Sequence, residues 1–290
     1  MAGISDHRLA AAVSNAGGLG VIASGGWSIS RIKMEIQKAK AMTDKPIGLN
    51  IMLMHPKKEA IAELAVSEGV DVITTGAGNP NPFMDAWKKA GITVIPVVPS
   101  VALAKRVERY GADAVIVEGS EAGGHIGEAT TFALVPQVAD AVDIPVIAAG
   151  GIADHRGVDA AFSLGAKGVQ VGTALLVSLE CPVHDNYKEK IVKAKDTDTV
   201  VTGREMKTPV RVLKNKMAMQ YLRLSKDQCD REELETLTLG SLGRAIEDGD
   251  KDKGSFMAGQ VAGLIKRTSP TEDIVRSMFE SSRLLGGGYL

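Results

Sequence analysis

Aromatic side chains make up only 4% of this 290-residue chain. So sparse a supply of rings argues against a base-stacking nucleic-acid surface. Cysteine is scarcer still: Cys181 and Cys229 stand far apart, without partners at metal-ligand spacing. A disulfide framework and a zinc site are therefore not expected. Neither sign of charge dominates, and a formal net charge of −1 creates no global field toward nucleic acid or membrane. No apolar run reaches transmembrane length. The opening residues, MAGISDHRLAAAV, lack the basic-then-apolar pattern of a secretory signal. The reducing cytoplasm is the default expectation. Catalytic signatures are missing too. No histidine and carboxylate cluster has metal spacing, and no G-x-S-x-G elbow is present.

Glycine, by contrast, is abundant at 32 residues, and it gathers where apolar runs end. Seven such runs are legible: 18–24, 46–53, 70–78, 92–100, 112–120, 144–151 and 167–175. They are Val/Ile-rich and continuous rather than alternating, as parallel strands buried on both faces require. Helical patterns fall between them at 30–42, 57–69, 83–91, 102–111 and 131–142. Repeated βα units of this spacing close into a barrel or lie open as a doubly wound sheet. TGAGNP at 75–80 is only a fragment of a dinucleotide fingerprint. AAGGIAD at 148–154 and QVGTALL at 170–176 suit the phosphate loops that follow the last two strands of a (β/α)8 barrel. The expected fold is thus α/β, a TIM-type barrel over 1–178. Residues 3–18 read as its first helix, so the first strand of the eight is absent. Residues 179–290 are expected to form a mainly helical cap. Within it 185–250 shows no strand run, 202–222 reads as an amphipathic helix, and the helix at 270–285 is expected to return to the barrel wall.

Active-site residues of such barrels sit just after the strands. Those positions hold Ser24, Asn50, Thr75, Gly76, Ser100, Glu118, His125, Gly150, Gly151, Gly172 and Thr173. Few carry charge, which suits a large cofactor held by backbone and amide groups. The bare N–H groups of Gly150, Gly151, Gly172 and Thr173 are candidates for cradling a phosphate. Gly150–Gly151 equally reads as a tight turn with Asp154 capping the next helix. Asn50 equally reads as a core amide. His125, in EAGGHIG, is either a surface histidine on a loose turn or an acid whose glycines let substrate approach. His7, His55, His155 and His184 read as solvated and receive no role. Arg204, Lys207, Arg211, Lys214 and Lys216 form a basic cluster, either a solvated face or a receiver for an acidic partner.

The segments AVSNAGGLGVI, KPIGLNIML, VITTGAGNP, VIPVVPSVALAKR, EAGGHIG, PVIAAGGIAD, VQVGT, NYKEKI and FMAGQVAGL together resemble the flavin-dependent type II enoyl-acyl-carrier-protein reductases (FabK-type). That family sits with the nitronate monooxygenases, or 2-nitropropane dioxygenases, in one FMN-binding TIM-barrel superfamily. The resemblance implies FMN at the barrel mouth, with its phosphate on Gly150, Gly151, Gly172 and Thr173. Ser24, Asn50, Thr75, Glu118, Gly123 and Gly124 would surround the flavin, and His125 would be catalytic. Met1 and Ala2 would align with the end of the family's first glycine-rich turn, whose strand this chain lacks. The implied reaction is reduction of trans-2-enoyl thioesters in fatty-acid synthesis, with NADH or NADPH as reductant. Nitronate oxidation and an inactive, truncated flavin barrel are the alternatives. The implied partners are acidic acyl carrier protein, received near Arg204, Lys207, Arg211 and Lys214, and a second copy of the chain.

Overall fold

The computed structural model describes residues 1–227, 230–282 and 284. Cys229 and the end of the expected last helix lie outside them. Helix α1 (His7–Asn15) comes first, and then strands alternate with helices. The strands are β1 (Gly20–Ala23), β2 (Ile47–Met52), β3 (Val72–Gly76), β4 (Thr93–Val98), β5 (Val115–Glu118), the short β6 (Gly124–His125), β7 (Val146–Ala149) and β8 (Gly168–Gln170). The helices are α2 (Ile29–Met42), α3 (Lys58–Ser67), α4 (Asn81–Lys89), α5 (Val101–Arg109), α6 (Thr131–Ala139) and α7 (His155–Ser163).

All seven expected strand runs pair in parallel, in the order β1-β2-β3-β4-β5-β7-β8. The sheet curls as in a TIM barrel, with β1 and β8 at its two edges. Side chains pack on both sides of it. Outward-facing Ile22, Ile47, Leu49, Ile51, Ile73 and Val94 meet the helices, where Trp87 of α4 is fully buried. Inside, Val72, Ile95, Ile116 and Ala149 form a smaller cluster with half-buried Leu19, Val97 and Ile147. This two-sided burial explains why the runs are continuously apolar. Short polar residues start the helices. Asp6, Ser28, Ser100 and Asp154 each accept from a backbone N–H of the helix that follows.

Between the two edges lie residues 1–6. Ala23 N–H donates to the Ser5 carbonyl at 3.0 Å, and the Ser5 hydroxyl donates to the Val21 carbonyl at 2.6 Å. On the outer wall, α12 (Thr271–Glu280) packs against both α1 and α7, the helices beside the two edges. It thus lies on the barrel wall.

The C-terminal part is mainly helical, but 185–250 also holds two strands that were not expected. It contains α8 (Asp185–Val192), β9 (Thr199–Thr202), β10 (Val210–Leu213), α9 (Lys216–Lys226), α10 (Arg231–Thr238), α11 (Ser241–Ile246) and then α12. Strands β9 and β10 form an antiparallel hairpin, and β10 also pairs with β6. The expected helix over 202–222 is therefore corrected: the helix begins only at Lys216, capped by Asn215. TVVT and VRVL are only four residues each, and the charged tip between them hides their periodicity. Among the described residues, no helix is long and apolar enough to cross a membrane.

Candidate active site

The carboxyl ends of the parallel strands converge on one mouth, and the loop after β5 crosses it. Backbone bonds fix this loop on three sides. Gly119 N–H donates to the Ala149 carbonyl (3.0 Å), Gln260 N–H to the Glu121 carbonyl (2.9 Å), and Ile126 N–H to the Pro209 carbonyl (3.1 Å). The glycines permit close approach. A β-carbon on Gly123 would stand 2.6 Å from the Ala258 carbonyl carbon, and Gly124 holds φ +81°, a conformation that glycine adopts without strain.

His125 follows directly. Its backbone pairs with Val210 of β10, and its side chain is exposed. The imidazole makes no hydrogen bond or ion pair with another described residue, so backbone contacts alone set its position. It is an exposed ring on the loop that follows β5.

The two glycine strand ends lie side by side, because β7 and β8 pair with Ala149 opposite Gln170. Gly150 and Gly151 hold φ +88° and +79° in succession. A β-carbon on Gly150 would stand 2.9 Å from the Gly119 carbonyl oxygen. None of the N–H groups of Gly150, Gly151, Gly172 and Thr173 donates to another described residue. Four N–H groups without a partner among the described residues, on adjacent turns, suit an anion. Thr173 is buried, and its hydroxyl accepts from Gly259 N–H at 2.9 Å. Asp154 caps α7 as well, so the turn reading of Gly150–Gly151 is compatible with the cradle.

The remaining predicted positions divide. Asn50 is half-buried and donates to Thr74 Oγ1 at 2.9 Å. Ser24 is only 1% exposed, and its hydroxyl donates to the Asn50 carbonyl at 2.7 Å. Its hydroxyl proton thus ties the end of β1 to Asn50. Thr75 is also buried, at 2% exposure. Met1 lies against Gly172 and Ala2 against Gly25, so both sit between the ends of β8 and β1. Glu118 ends β5, and burial raises its carboxyl to about pKa 7 against the pull of the Met1 amino group.

Two expectations about charged residues need correction. Arg211 does not belong to an exposed basic face. It is 8% exposed, and it donates to the Ser120 carbonyl through Nε (3.1 Å) and Nη2 (2.9 Å) and to Thr199 Oγ1 through Nη1 (3.1 Å). The reason is β10, whose alternation turns residue 211 toward the His125 loop. His7 is not simply solvated: its Nδ1 lies 2.6 Å from Glu35 Oε2. Burial pulls the Glu35 carboxyl up, but the His7 hydrogen bonds and the Arg31 charge outweigh it and hold the carboxyl below its ordinary value. Asp6, His7 and Glu35 stand close together, yet all three are occupied by helix capping and ion pairing.

Comparison with known proteins agrees with this geometry. The nitronate monooxygenase profile matches residues 1–281. The chain belongs to the nitronate monooxygenase family. Within and around that family, the solved structure of FabK from Thermotoga maritima superposes with a TM-score of 0.93 at 49% identity, covering 96% of this chain and 89% of that one. The probable nitronate monooxygenase of Staphylococcus saprophyticus is 32% identical over 93% of this chain and 89% of its own length. The (3aS,4S,5R,7aS)-5-hydroxy-7a-methyl-1-oxo-octahydro-1H-indene-4-carboxyl-CoA dehydrogenase of Rhodococcus jostii is 40% identical over 73% of this chain. The chain spans 60% of that relative's length. The names of the matched family and of the Staphylococcus and Rhodococcus relatives are names of oxidoreductases.

Sequence reasoning missed the residues that brace the site. Glu121 accepts from Thr131 N–H (2.7 Å) and Thr131 Oγ1 (3.0 Å), linking the His125 loop to α6. Tyr187 donates to the Met257 carbonyl at 2.7 Å, holding the segment behind Gly123. NYKEKI and FMAGQ flagged both segments, but nothing in their spacing shows that they meet.

Proposed function

We propose that this protein reduces trans-2-enoyl thioesters carried on acyl carrier protein, with FMN as its cofactor and NADH or NADPH as the reductant. The observation that carries the reading is the likeness to FabK, 49% identity across 96% of the chain, against 32% for the probable nitronate monooxygenase. FabK is the name of the reductases that the sequence resembles. The Rhodococcus relative, named as a carboxyl-CoA dehydrogenase, also supports a thioester substrate.

The residues present fit FMN. Gly150, Gly151, Gly172 and Thr173 offer free N–H groups to its phosphate, and Asn50, half-buried at the strand ends, offers an amide to the ring system. When bound, FMN supplies hydride relay between the pyridine nucleotide and the β-carbon of the enoyl group. The protein must then manage charge that develops on the thioester oxygen. His125 is the exposed donor on the mouth loop, and it hydrogen-bonds that oxygen or delivers the proton for the α-carbon. The exposed cations Arg204, Lys207 and Lys214 receive the acidic carrier. Arg204 and Lys207 lie on the hairpin tip, where Arg204 pairs with Glu128 of the His125 loop at 3.3 Å.

The test is an anaerobic spectrum of the FMN-loaded protein. NADH is expected to bleach the flavin band, and crotonyl thioester to restore it. His125→Ala is expected to keep the colour and lose most turnover. A flavin that NADH leaves oxidised, but that turns over with an alkyl nitronate and oxygen, would establish nitronate oxidation instead. Arg204→Glu with Lys207→Glu is expected to raise KM for the carrier-bound substrate and spare the coenzyme A thioester.

A further inference from the structure

We propose that Arg211 is the positioning residue for His125, so that the C-terminal hairpin rather than the barrel sets where the imidazole stands. The inference deepens the proposed function and rests on its assignment of His125. It starts from the isolation of that side chain. With no hydrogen bond from the ring to a described residue, the backbone on either side must fix it, and that backbone is held chiefly from β10. Val210 pairs with His125 and Arg211 with Gly124. Pro209 accepts from Ile126 N–H. The Arg211 guanidinium then reaches back to the start of the loop, with two of its N–H groups on the single carbonyl of Ser120.

This use of a guanidinium is costly. The group is buried, and no carboxylate lies within ion-pair distance among the described residues. Its acceptors are one carbonyl and the Thr199 hydroxyl. Buried cations are normally paired. An apolar residue there would fill the space more cheaply, but it would leave the Ser120 carbonyl without its side-chain donors, and the hairpin would then hold the loop only through the short β6 pairing and the Ile126–Pro209 bond. Lysine offers a point charge in place of the planar fork. Residues 120 and 124 thus become two ends of one clamp, with His125 immediately beyond it.

Three variants separate positioning from general support: Arg211→Met, Arg211→Lys, and Arg211→Met combined with His125→Ala. In the flavin-free protein, Arg211→Met is expected to speed amide exchange at residues 119–127 at least tenfold, while β1 to β4 exchange as before. With FMN loaded, kcat for crotonyl-coenzyme A is expected to fall at least tenfold with KM changed less than threefold, and Arg211→Lys to recover part of it. In the His125→Ala background the same change is expected to cost no more than twofold. Unaltered loop exchange would overturn the proposal, as would exchange that rises equally across the whole sheet. A full additional loss in the His125→Ala background would overturn it too. Because the exchange readout needs no turnover, an enzyme that proves to oxidise nitronates instead would still show whether the clamp exists.

Discussion

The hydroxyl of Thr131 stands 3.0 Å from Glu121 Oε2 and 2.9 Å from the carbonyl oxygen of Gly150. One proton is shared among these and the Ala149 carbonyl at 3.1 Å. Through this hydroxyl, the His125 loop and the candidate phosphate turn are joined at the N-terminus of α6. Thr131→Val is expected to cost about 1–2 kcal/mol of stability, the usual scale for a buried hydrogen bond left unmade. Because it frees the Gly150 turn, it should also weaken FMN binding by roughly tenfold, about 1.4 kcal/mol. Thr131→Ser, which keeps the hydroxyl, should restore most of both. Chemical denaturation and a flavin fluorescence titration measure the two effects.

Gly119 is forced by the same junction. A β-carbon there would lie 2.1 Å from Thr131 Oγ1 and 2.2 Å from Thr131 N. Both atoms are fixed, the second in backbone, so Gly119→Ala must push α6 away from β5. Overpacking of this kind costs about 1–3 kcal/mol. Gly243→Ala supplies the contrast. No atom lies within 4 Å of a β-carbon there, and the residue sits inside α11. It should be neutral, or stabilising by roughly 0.5 kcal/mol through helix propensity. A thermal melt in which Gly119→Ala tolerates heat as well as Gly243→Ala would refute the packing argument.

The same junction shows what a sequence can convey. The seven strand runs were legible because burial on two faces writes itself as unbroken Val and Ile. The glycine end of β7 was legible because left-handed turns admit little else. Ser24 shows a limit of such reading: a strand-end serine looks alike whether its hydroxyl faces the mouth or, as here, bonds the Asn50 carbonyl of the neighbouring strand. The hairpin was missed because TVVT and VRVL are too short to outweigh the charges of their own turn. Arg211 was placed on a solvated face because its neighbours Arg204, Lys207 and Lys214 are indeed exposed. Only the alternation of β10, invisible once the segment is read as a helix, turns it inward. Glu121 lies in a loop ten positions before Thr131 at the start of α6, and the pair carries no periodic signal at all.

Glu118 predicts how stability responds to pH. Its carboxyl ordinarily ionises near 4.5 and is raised to about 7 in the folded protein, first by burial, with the Met1 amino group opposing. At acidic pH both folded and unfolded chains hold the proton, and no penalty exists. As pH rises from about 4.5 to about 7, the unfolded chain gives up its proton more readily, and folded stability falls. Above about pH 7 the loss is complete and amounts to about 3 kcal/mol. Glu118→Gln should remove this slope, making the variant more stable than the parent at pH 8 and comparable at pH 4.5. Urea denaturation of the flavin-free protein at the two pH values decides it, and parallel curves for both proteins would show that Glu118 is ordinarily hydrated.

Tyr187 closes the account of how the mouth loop is supported from behind. Its ring is fully buried and tilted against Phe256, with centroids 4.9 Å apart. Its hydroxyl donates to the Met257 carbonyl, and burial drives its ionisation far above the normal phenol range. It therefore remains a donor at every usable pH. Met257 leads into Ala258 and Gly259, the segment that touches Gly123 and bonds Thr173. Tyr187→Phe keeps the packing and deletes only the donor, leaving a buried carbonyl unpaired. The expected cost is about 1–3 kcal/mol, concentrated locally rather than across the barrel. Amide exchange at Gly259 and Gln260, which bond Thr173 and Glu121, should therefore quicken by more than tenfold, with β2 and β3 unchanged. Equal acceleration everywhere would mean that the hydroxyl supports the fold as a whole and not this segment.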